Sequence, residues 1–366
     1  MRIGIDAKRI FLNKTGLGAY GRNLVNGLNQ LQNDNEYFLY TPKKTYSFDF
    51  NSLNNNISSR ESNAWFKIFW RSFSIKNDLK KDNIELYHAI SNELPIKLNS
   101  KIKNIVDIHD LLFIRFPQFY SFFDRSIFKI KTKYACKKAD KIIATSEATK
   151  TDIVKYYKIN PEKIKVVYQS CDASFFKQAT SIERKIVREK YNLPKDFLLC
   201  VGTIQERKNQ IQILEALLQT KNKLPLVLVG SGGKYKEKVI EFAKQNNLTL
   251  IIPDRFVSNE DLPSIYQMSK IFVFPGFYEG FGIPVLEAMA SRTQVITSIN
   301  TSMAEIATNT KNLVNPLSVT DLADKINLFL ENNDEELIEE NFQRALNFTS
   351  IKFAERVLKV YDEVRN

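Results

Sequence analysis

Along most of the chain, short apolar runs alternate with longer stretches in which apolar positions recur every three or four residues. Apolar runs bounded by turn residues read as strands buried on both faces, and recurrence at helical spacing reads as helices with one buried side. RIGID, IELYHAI, NIVDIHDL, KIIATS and IKVVYQS are the strand candidates of the first half. FLLCVGT, LPLVLVGSG, LTLIIPD, KIFVFPG and QVITSIN are those of the second. Between them lie amphipathic segments such as YGRNLVNGLNQL, where Leu24, Val25, Leu28 and Leu31 share a face. This alternation predicts an α/β chain of two units, each a parallel sheet covered by helices. CDASFFKQATSIERK, around residues 171–185, lacks strong periodicity and precedes a fresh strand, so the linker is placed there. The units are then 1–173 and 174–349, with a final helix, 350–366, offering Phe353, Val357, Val360 and Tyr361 for packing back on the first unit.

At 366 residues, with 43% hydrophobic and 26% charged positions, the chain has the size and composition of a two-domain globular protein. No stretch approaches the roughly 20 apolar residues of a membrane span. The start, MRIGIDAKRIFLNK, lacks the apolar core of a secretion signal and reads as a first strand. Cys136, Cys171 and Cys200 stand apart, which predicts neither a disulfide framework nor a metal knot and fits a reducing cytoplasm. The net charge of +12 is lopsided: residues 1–180 hold 30 Lys and Arg against 17 Asp and Glu, a balance of +13.

A basic half suits nucleic acid, anionic lipid or an anionic substrate, and a solvated lysine-rich surface accounts for it equally well. No zinc-finger spacing, RNP-like strand or compact basic helix is present, so no nucleic-acid partner is expected. Two stretches, residues 65–73 and 119–138, mix aromatic with basic residues. On a helix, Phe66, Phe69, Trp70 and Phe73 share a face, with Lys67 and Arg71 on another. Such a helix can rest peripherally on an anionic membrane surface or pack its aromatic face on the first sheet.

The candidate chemistry is densest in YEGFGIPVLE, residues 278–287, which sets two glutamates eight apart. Gly280, Gly282 and Pro284 argue against one continuous helix and for a glycine loop holding Glu279, followed by a helix starting near Ile283 and carrying Glu287. A helix start offers unpaired N–H groups to an anion. Acceptor side chains flanking such donors suit a ligand that carries hydroxyls and phosphate together. VGTIQERKNQ places Arg207 and Lys208 just before a helix, where a guanidinium fork and an ammonium suit a diphosphate; a solvent-facing pair is the plainer alternative.

TGLGAYG spells G-x-G-x-x-G through Gly16, Gly18 and Gly21. KRIFLNKT separates it from the first strand, so the dinucleotide fingerprint fails on context, and a glycine loop before a helix remains. His88 and His109 both end strand-like runs; His88 reads as structural, and His109, beside Asp110, as an active-site polar group. No Asp-x-Asp, His/Cys cluster or G-x-S-x-G occurs, so a bound diphosphate is expected to be met by side-chain cations and backbone N–H groups rather than by a metal.

Together these residues resemble the GT-B glycosyltransferases of family 4, almost end to end. The likeness rests on MRIGIDAKRI, TGLGAYGRNL, IHDL and KKADKIIATSEATKTDI in the first half. In the second it rests on VGTIQERKN, LVLVGSGG, RFVSNEDLPSIYQMSKIFVFPGFYEGFGIPVLEAMA and TSMAEI. The glutamate pair matches the family's E-x7-E motif. Glu206, where related loops often have proline, and NFTSIKF, which lacks a tryptophan, depart from the pattern.

The resemblance implies two Rossmann-like domains facing a cleft, and a retaining, metal-independent hexose transfer from a GDP- or UDP-sugar. The hexose would be mannose-like or glucose-like, and the acceptor a glycan or lipid-linked acceptor of cell-surface polysaccharide or lipopolysaccharide synthesis. By position, Glu287 would hold the ribose hydroxyls and Glu279 the transferred sugar. Gly280, Phe281, Gly282 and Ile283 would offer backbone N–H groups, and Arg207 and Lys208 would neutralise the diphosphate. Gly16, with Gly18 and Gly230, would approach the donor; His109 would sit beside the sugar, and Phe256 and Val257 would line the base pocket. A catalytically silent binding subunit, or a phosphorylase or epimerase on the same architecture, stays open as an alternative.

Overall fold

The computed structural model describes residues 1–13, 16–44, 52–62, 70–299 and 301–365. It divides into two compact units, Met1–Cys171 with Phe348–Asn366, and Asp172–Asn347. The first unit is built on a seven-stranded sheet of β1 (Arg2–Asp6), β2 (Glu36–Thr41), β3 (Ile57–Glu61), β4 (Leu86–Ala89), β5 (Lys103–Ile108), β6 (Lys141–Ala144) and β7 (Ile164–Val166). The second carries a six-stranded sheet of β8 (Leu198–Val201), β9 (Leu226–Val229), β10 (Leu250–Ile251), β11 (Ile271–Phe274), β12 (Gln294–Ser298) and β13 (Leu313–Val314). Every strand pairing is parallel. Helices cover both faces, which explains the unbroken apolar runs: side chains of both strand faces are buried.

Both sheets are doubly wound. The first runs β3-β2-β1-β4-β5-β6-β7 and the second β10-β9-β8-β11-β12-β13. Each chain path therefore reverses direction once, between β1 and β4 and between β8 and β11. At such a reversal the loops leaving two adjacent strands diverge, opening a crevice at their carboxyl ends.

The final helix, Ser350–Arg365, packs against the helix Gly16–Gln30 of the first unit. Phe353, Ala354, Val357, Val360 and Tyr361 join Ile3, Ile5, Leu24 and Leu28 in one core. The approach is close: a Cβ on Gly27 would stand 2.1 Å from the Ser350 carbonyl oxygen.

Two expectations need correction. The glycines of TGLGAYG lie inside the helix Gly16–Gln30 rather than in a loop; residues 14 and 15 are outside the described residues. A Cβ on Gly18 would fall 1.8 Å from the Asn13 carbonyl oxygen, and one on Gly21 would meet Ile10 and Ile90. The small residues thus admit neighbouring backbone and side chains. The aromatic stretch 65–73 is described only from Trp70, and Phe66, Lys67 and Phe69 lie outside. Trp70 is fully buried, and Arg71, expected on a different face from Trp70, is buried as well and held by Asp6. Among the described residues, no helix is long and apolar enough to cross a membrane.

Candidate active site

In the second unit, the crevice between β8 and β11 gathers the charges that the sequence singled out. The loop after β8 passes through Gly202, at φ +130°, and closes in a short turn, Glu206–Lys208. Asn209, in the left-handed region, then redirects the chain into the helix Gln210–Gln219. The loop after β11 is pinned alongside by Phe277 N–H, which donates to the Arg207 carbonyl at 2.9 Å. Gly282, at φ +106°, caps the helix Ile283–Ala290, with Pro284 in its first turn. A side chain on Gly282 would be strained by that φ and would press on Met303, its Cβ 2.8 Å from Met303 Cγ.

Across these two loops, Arg207 Nη1 and Lys208 Nζ both reach the same Glu279 oxygen, Oε1, at 2.6 Å. Arg207 Nε also donates to Gln205 Oε1 at 3.2 Å. Lys208 is only 6% exposed, and its ammonium lies 4.6 Å from the centroid of the Phe274 ring. The Glu279 carbonyl accepts from Ser302 Oγ at 2.5 Å, which fixes the loop behind the carboxylate. Burial alone would push the Glu279 carboxyl up, but Lys208 and then Arg207 outweigh it and hold it below its ordinary value. Burial lowers Lys208, against the pull of Glu279. Two cations on one carboxylate leave an excess positive charge beside a helix start that has no side-chain cap, an arrangement that suits an anion.

Glu287 stands on the second turn of that helix, half-buried, and accepts from Tyr266 Oη at 2.8 Å. Burial raises its carboxyl to about 7, against the lowering effect of the Tyr266 hydrogen bond. Gly280 and Phe281 are buried in the loop, and Ile283 opens the helix. Gly230 follows β9 with no room for a side chain, since a Cβ would sit 1.9 Å from the Gly202 carbonyl oxygen. Phe256 is 76% exposed and Val257 half-buried, in the segment before the helix Leu262–Met268. Ser302 and Tyr266 were not singled out in the sequence, because their roles depend on contacts across 23 and 21 residues.

The other named residues belong to the first unit. His109 follows β5 and is 8% exposed. Its Nε2 lies 2.8 Å from the Ile90 carbonyl oxygen, which can only accept, so the proton is assigned to Nε2. Its own carbonyl accepts from Thr145 and Thr149, and the Tyr20 ring meets the imidazole edge-on at 4.7 Å. Gly16 opens its helix with nothing within 4 Å of an added Cβ. His88 is fully buried, bridging Tyr361 Oη and Asp107 Oδ1 at 2.7 Å each, a structural tie between the sheet and the final helix. Among the described residues, no group of three or more His, Cys, Asp or Glu is arranged to hold a metal ion.

Comparison with known proteins gives each half a match. Residues 15–175 match the model of Glycosyltransferase Family 4, and residues 181–344 that of Glycosyl transferases group 1. The O-antigen chain mannosyltransferase B of Escherichia coli is 28% identical over 228 residues, covering 60% of this chain and 58% of that protein. The chain thus spans less than two thirds of the length of that curated relative. A glycosyltransferase from Rickettsia africae superposes with a TM-score of 0.75 at 18% identity, over 100% of this chain and 98% of that one. HepE of Anabaena, in complex with UDP and glucose, gives 0.73 at 15% identity, over 99% of this chain and 100% of that one. With a glycosyltransferase model over each half and a fold shared end to end with these structures, the chain belongs to the GT-B glycosyltransferases of family 4.

Proposed function

We propose that the protein is a retaining hexosyltransferase that moves a mannose- or glucose-type sugar from a nucleotide-sugar to a glycan or lipid-linked acceptor of surface polysaccharide or lipopolysaccharide synthesis. The observation that carries this reading is the Arg207–Lys208–Glu279 cluster at the reversal point of the second sheet. The E. coli relative named for O-antigen mannosyl transfer and the UDP-bound HepE structure support the substrate class.

In this reading, the donor diphosphate takes the two cations from Glu279 and adds N–H groups of the loop and helix start. Negative charge grows on the departing diphosphate as the anomeric carbon becomes cation-like, and preorganised donors stabilise that state more than the ground state. Glu279, released from its cations, accepts from hydroxyls of the transferred sugar, and Glu287 from the ribose. In the first unit, His109 uses Nε2 on Ile90, which leaves Nδ1 to accept from a substrate hydroxyl. The acceptor oxygen attacks on the face the diphosphate leaves, which gives retention. Double displacement with Glu279 as nucleophile is the second route, and trapping of a glycosyl-enzyme would distinguish it. Two cations already lie at the site, so the reading requires no metal to meet the diphosphate charge.

A panel of UDP- and GDP-hexoses, with the anomeric configuration of the product read by NMR, tests the proposal. Binding and retention with one donor are expected, and an inverted product would overturn the retaining mechanism.

A further inference from the structure

The first unit has its own reversal point, between β1 and β4, and its crevice is charged as well. Asp6, the last residue of β1, is fully buried. It pairs with Arg71, itself 7% exposed, whose Nη2 donates to Asp6 Oδ1 at 3.1 Å. Arg71 Nη1 also lies 3.8 Å from Glu93 Oε2, and Lys131 Nζ reaches Glu93 Oε1 at 3.0 Å.

Just past β1, Lys8 and Arg9 are half-buried beside this cluster, and no carboxylate pairs with either among the described residues. The Lys8 backbone N–H donates to Asp6 Oδ1 at 3.1 Å, which ties this turn to the cluster. Burial and then Arg71 lower both side chains, and the pull of Asp6 and Glu93 does not make up the difference. The Arg9 Nε is buried with no acceptor. On β4, Tyr87 is fully buried, and its hydroxyl has no hydrogen-bond partner. Tyr87 lies opposite Gly4 in the β1–β4 register, two residues before Asp6 on the neighbouring strand, so Tyr87 and Asp6 share a face of the sheet. Lys8, Arg9, Arg71 and Lys131 stand against Asp6 and Glu93, an excess of two positive charges. Unpaired cations, an idle buried hydroxyl and like charges crowded in a crevice destabilise the free protein and mark a site waiting for an anion.

We infer that the β1/β4 crevice is a subsite for a phosphate-type dianion carried by the acceptor, gripped by Lys8 and Arg9, backed by Arg71, with Tyr87 donating its hydroxyl. This deepens the proposed function, because it names the chemical class of the acceptor. The same chemistry is offered by a soluble sugar phosphate and by a phosphorylated lipid headgroup.

The test uses the full chain in the Arg207→Ala background, which weakens anion binding in the second unit, with inorganic phosphate as probe. Phosphate should bind there and raise Tm, and adding Lys8→Ala with Arg9→Ala should weaken the affinity at least tenfold. Without phosphate, the double substitution should leave Tm unchanged or raised, since it relieves repulsion. Tyr87→Phe should weaken phosphate binding a few-fold with no loss of Tm. Vesicles of phosphatidylcholine with and without phosphatidate identify the source. A loss of phosphatidate-dependent binding in the Lys8/Arg9 variant places the phosphate on a lipid, and loss of the free-phosphate response alone places it on a soluble acceptor. Unchanged phosphate affinity in the Lys8/Arg9 variant overturns the inference. Nucleotide binding by otherwise wild-type protein is followed in parallel: if it holds while phosphate binding ignores Lys8 and Arg9, only this inference fails; if no nucleotide binds, the parent reading fails.

Discussion

Glu279 and Glu287 are carboxylates of one motif held in opposite electrostatic states. Glu279 lies below its ordinary value because two cations overcome burial, so its stabilising contribution is present above the ordinary carboxylate range and is lost as pH falls through the lowered value. Glu279→Gln strands Lys208 as a buried cation and should cost about 3–5 kcal/mol in urea unfolding. Adding Lys208→Met should recover much of that stability and none of the activity. A neutral single variant would contradict the ion-pair account. Glu287 has the opposite sign: with its folded value near 7, stability is fully present below the ordinary carboxylate value and is lost as pH rises through about 7. Glu287→Gln should therefore gain about 1–3 kcal/mol over the wild type at pH 8 and nothing near pH 4. An equal gap at both pH values would refute a raised Glu287. In turnover, Glu287→Ala should raise donor KM about tenfold or more with kcat largely kept, the loss expected when a charged acceptor leaves a ribose hydroxyl. An unchanged donor KM removes the ribose assignment.

Among elements, the helix Phe122–Lys138 shows an unusual exposed face. Phe122, Phe123 and Ile130 are 77%, 73% and 70% exposed, and Lys129, Lys133 and Lys137 share that side of the helix. We propose that this face rests on an anionic lipid surface, with aromatic rings at the headgroup level and lysines on phosphate. Cosedimentation with anionic vesicles should fall steeply between low and physiological salt, and Phe122→Ser with Phe123→Ser should abolish it. Equal binding to neutral vesicles, or none to either, would leave these side chains as plain surface.

The apolar pattern announced β1 and β4 to β12, edge strands β7 and β10 included. β2 was missed although Tyr37–Thr41 are buried inside the sheet, and β3 because ISSRE buries only Ile57 and carries no alternation. β13, two residues long, is too short to leave a pattern. The helix over Gly16–Gln30 was read as beginning after a glycine loop, because local propensity says nothing of the Asn13 carbonyl that excludes a side chain at position 18. At the site, the Gly282–Ile283 helix start was legible from glycine and proline placement. The meeting of Arg207 and Lys208 with Glu279 was not, since it joins loops 72 residues apart for Arg207. The Asp6–Arg71 pair, 65 residues apart, was hidden for the same reason.

For the whole molecule, the two sheets repeat one plan, each with a charged cluster at its reversal point, and the positive excess of +13 over residues 1–180 falls almost entirely on the first unit. That asymmetry fits a division of labour in which the second unit binds the donor nucleotide and the first an anionic acceptor. The proposed transfer depends on the action of Arg207 and Lys208 on a leaving diphosphate. It is tested most directly by the steady-state kcat for nucleoside diphosphate release, in the wild type and in Arg207→Ala, with EDTA present. The account predicts turnover of a UDP- or GDP-hexose that persists in chelator and falls about a hundredfold or more in the variant, as when a preorganised donor to a developing charge is removed. Turnover that vanishes with EDTA and returns with magnesium or manganese, or a kcat indifferent to Arg207, would contradict it.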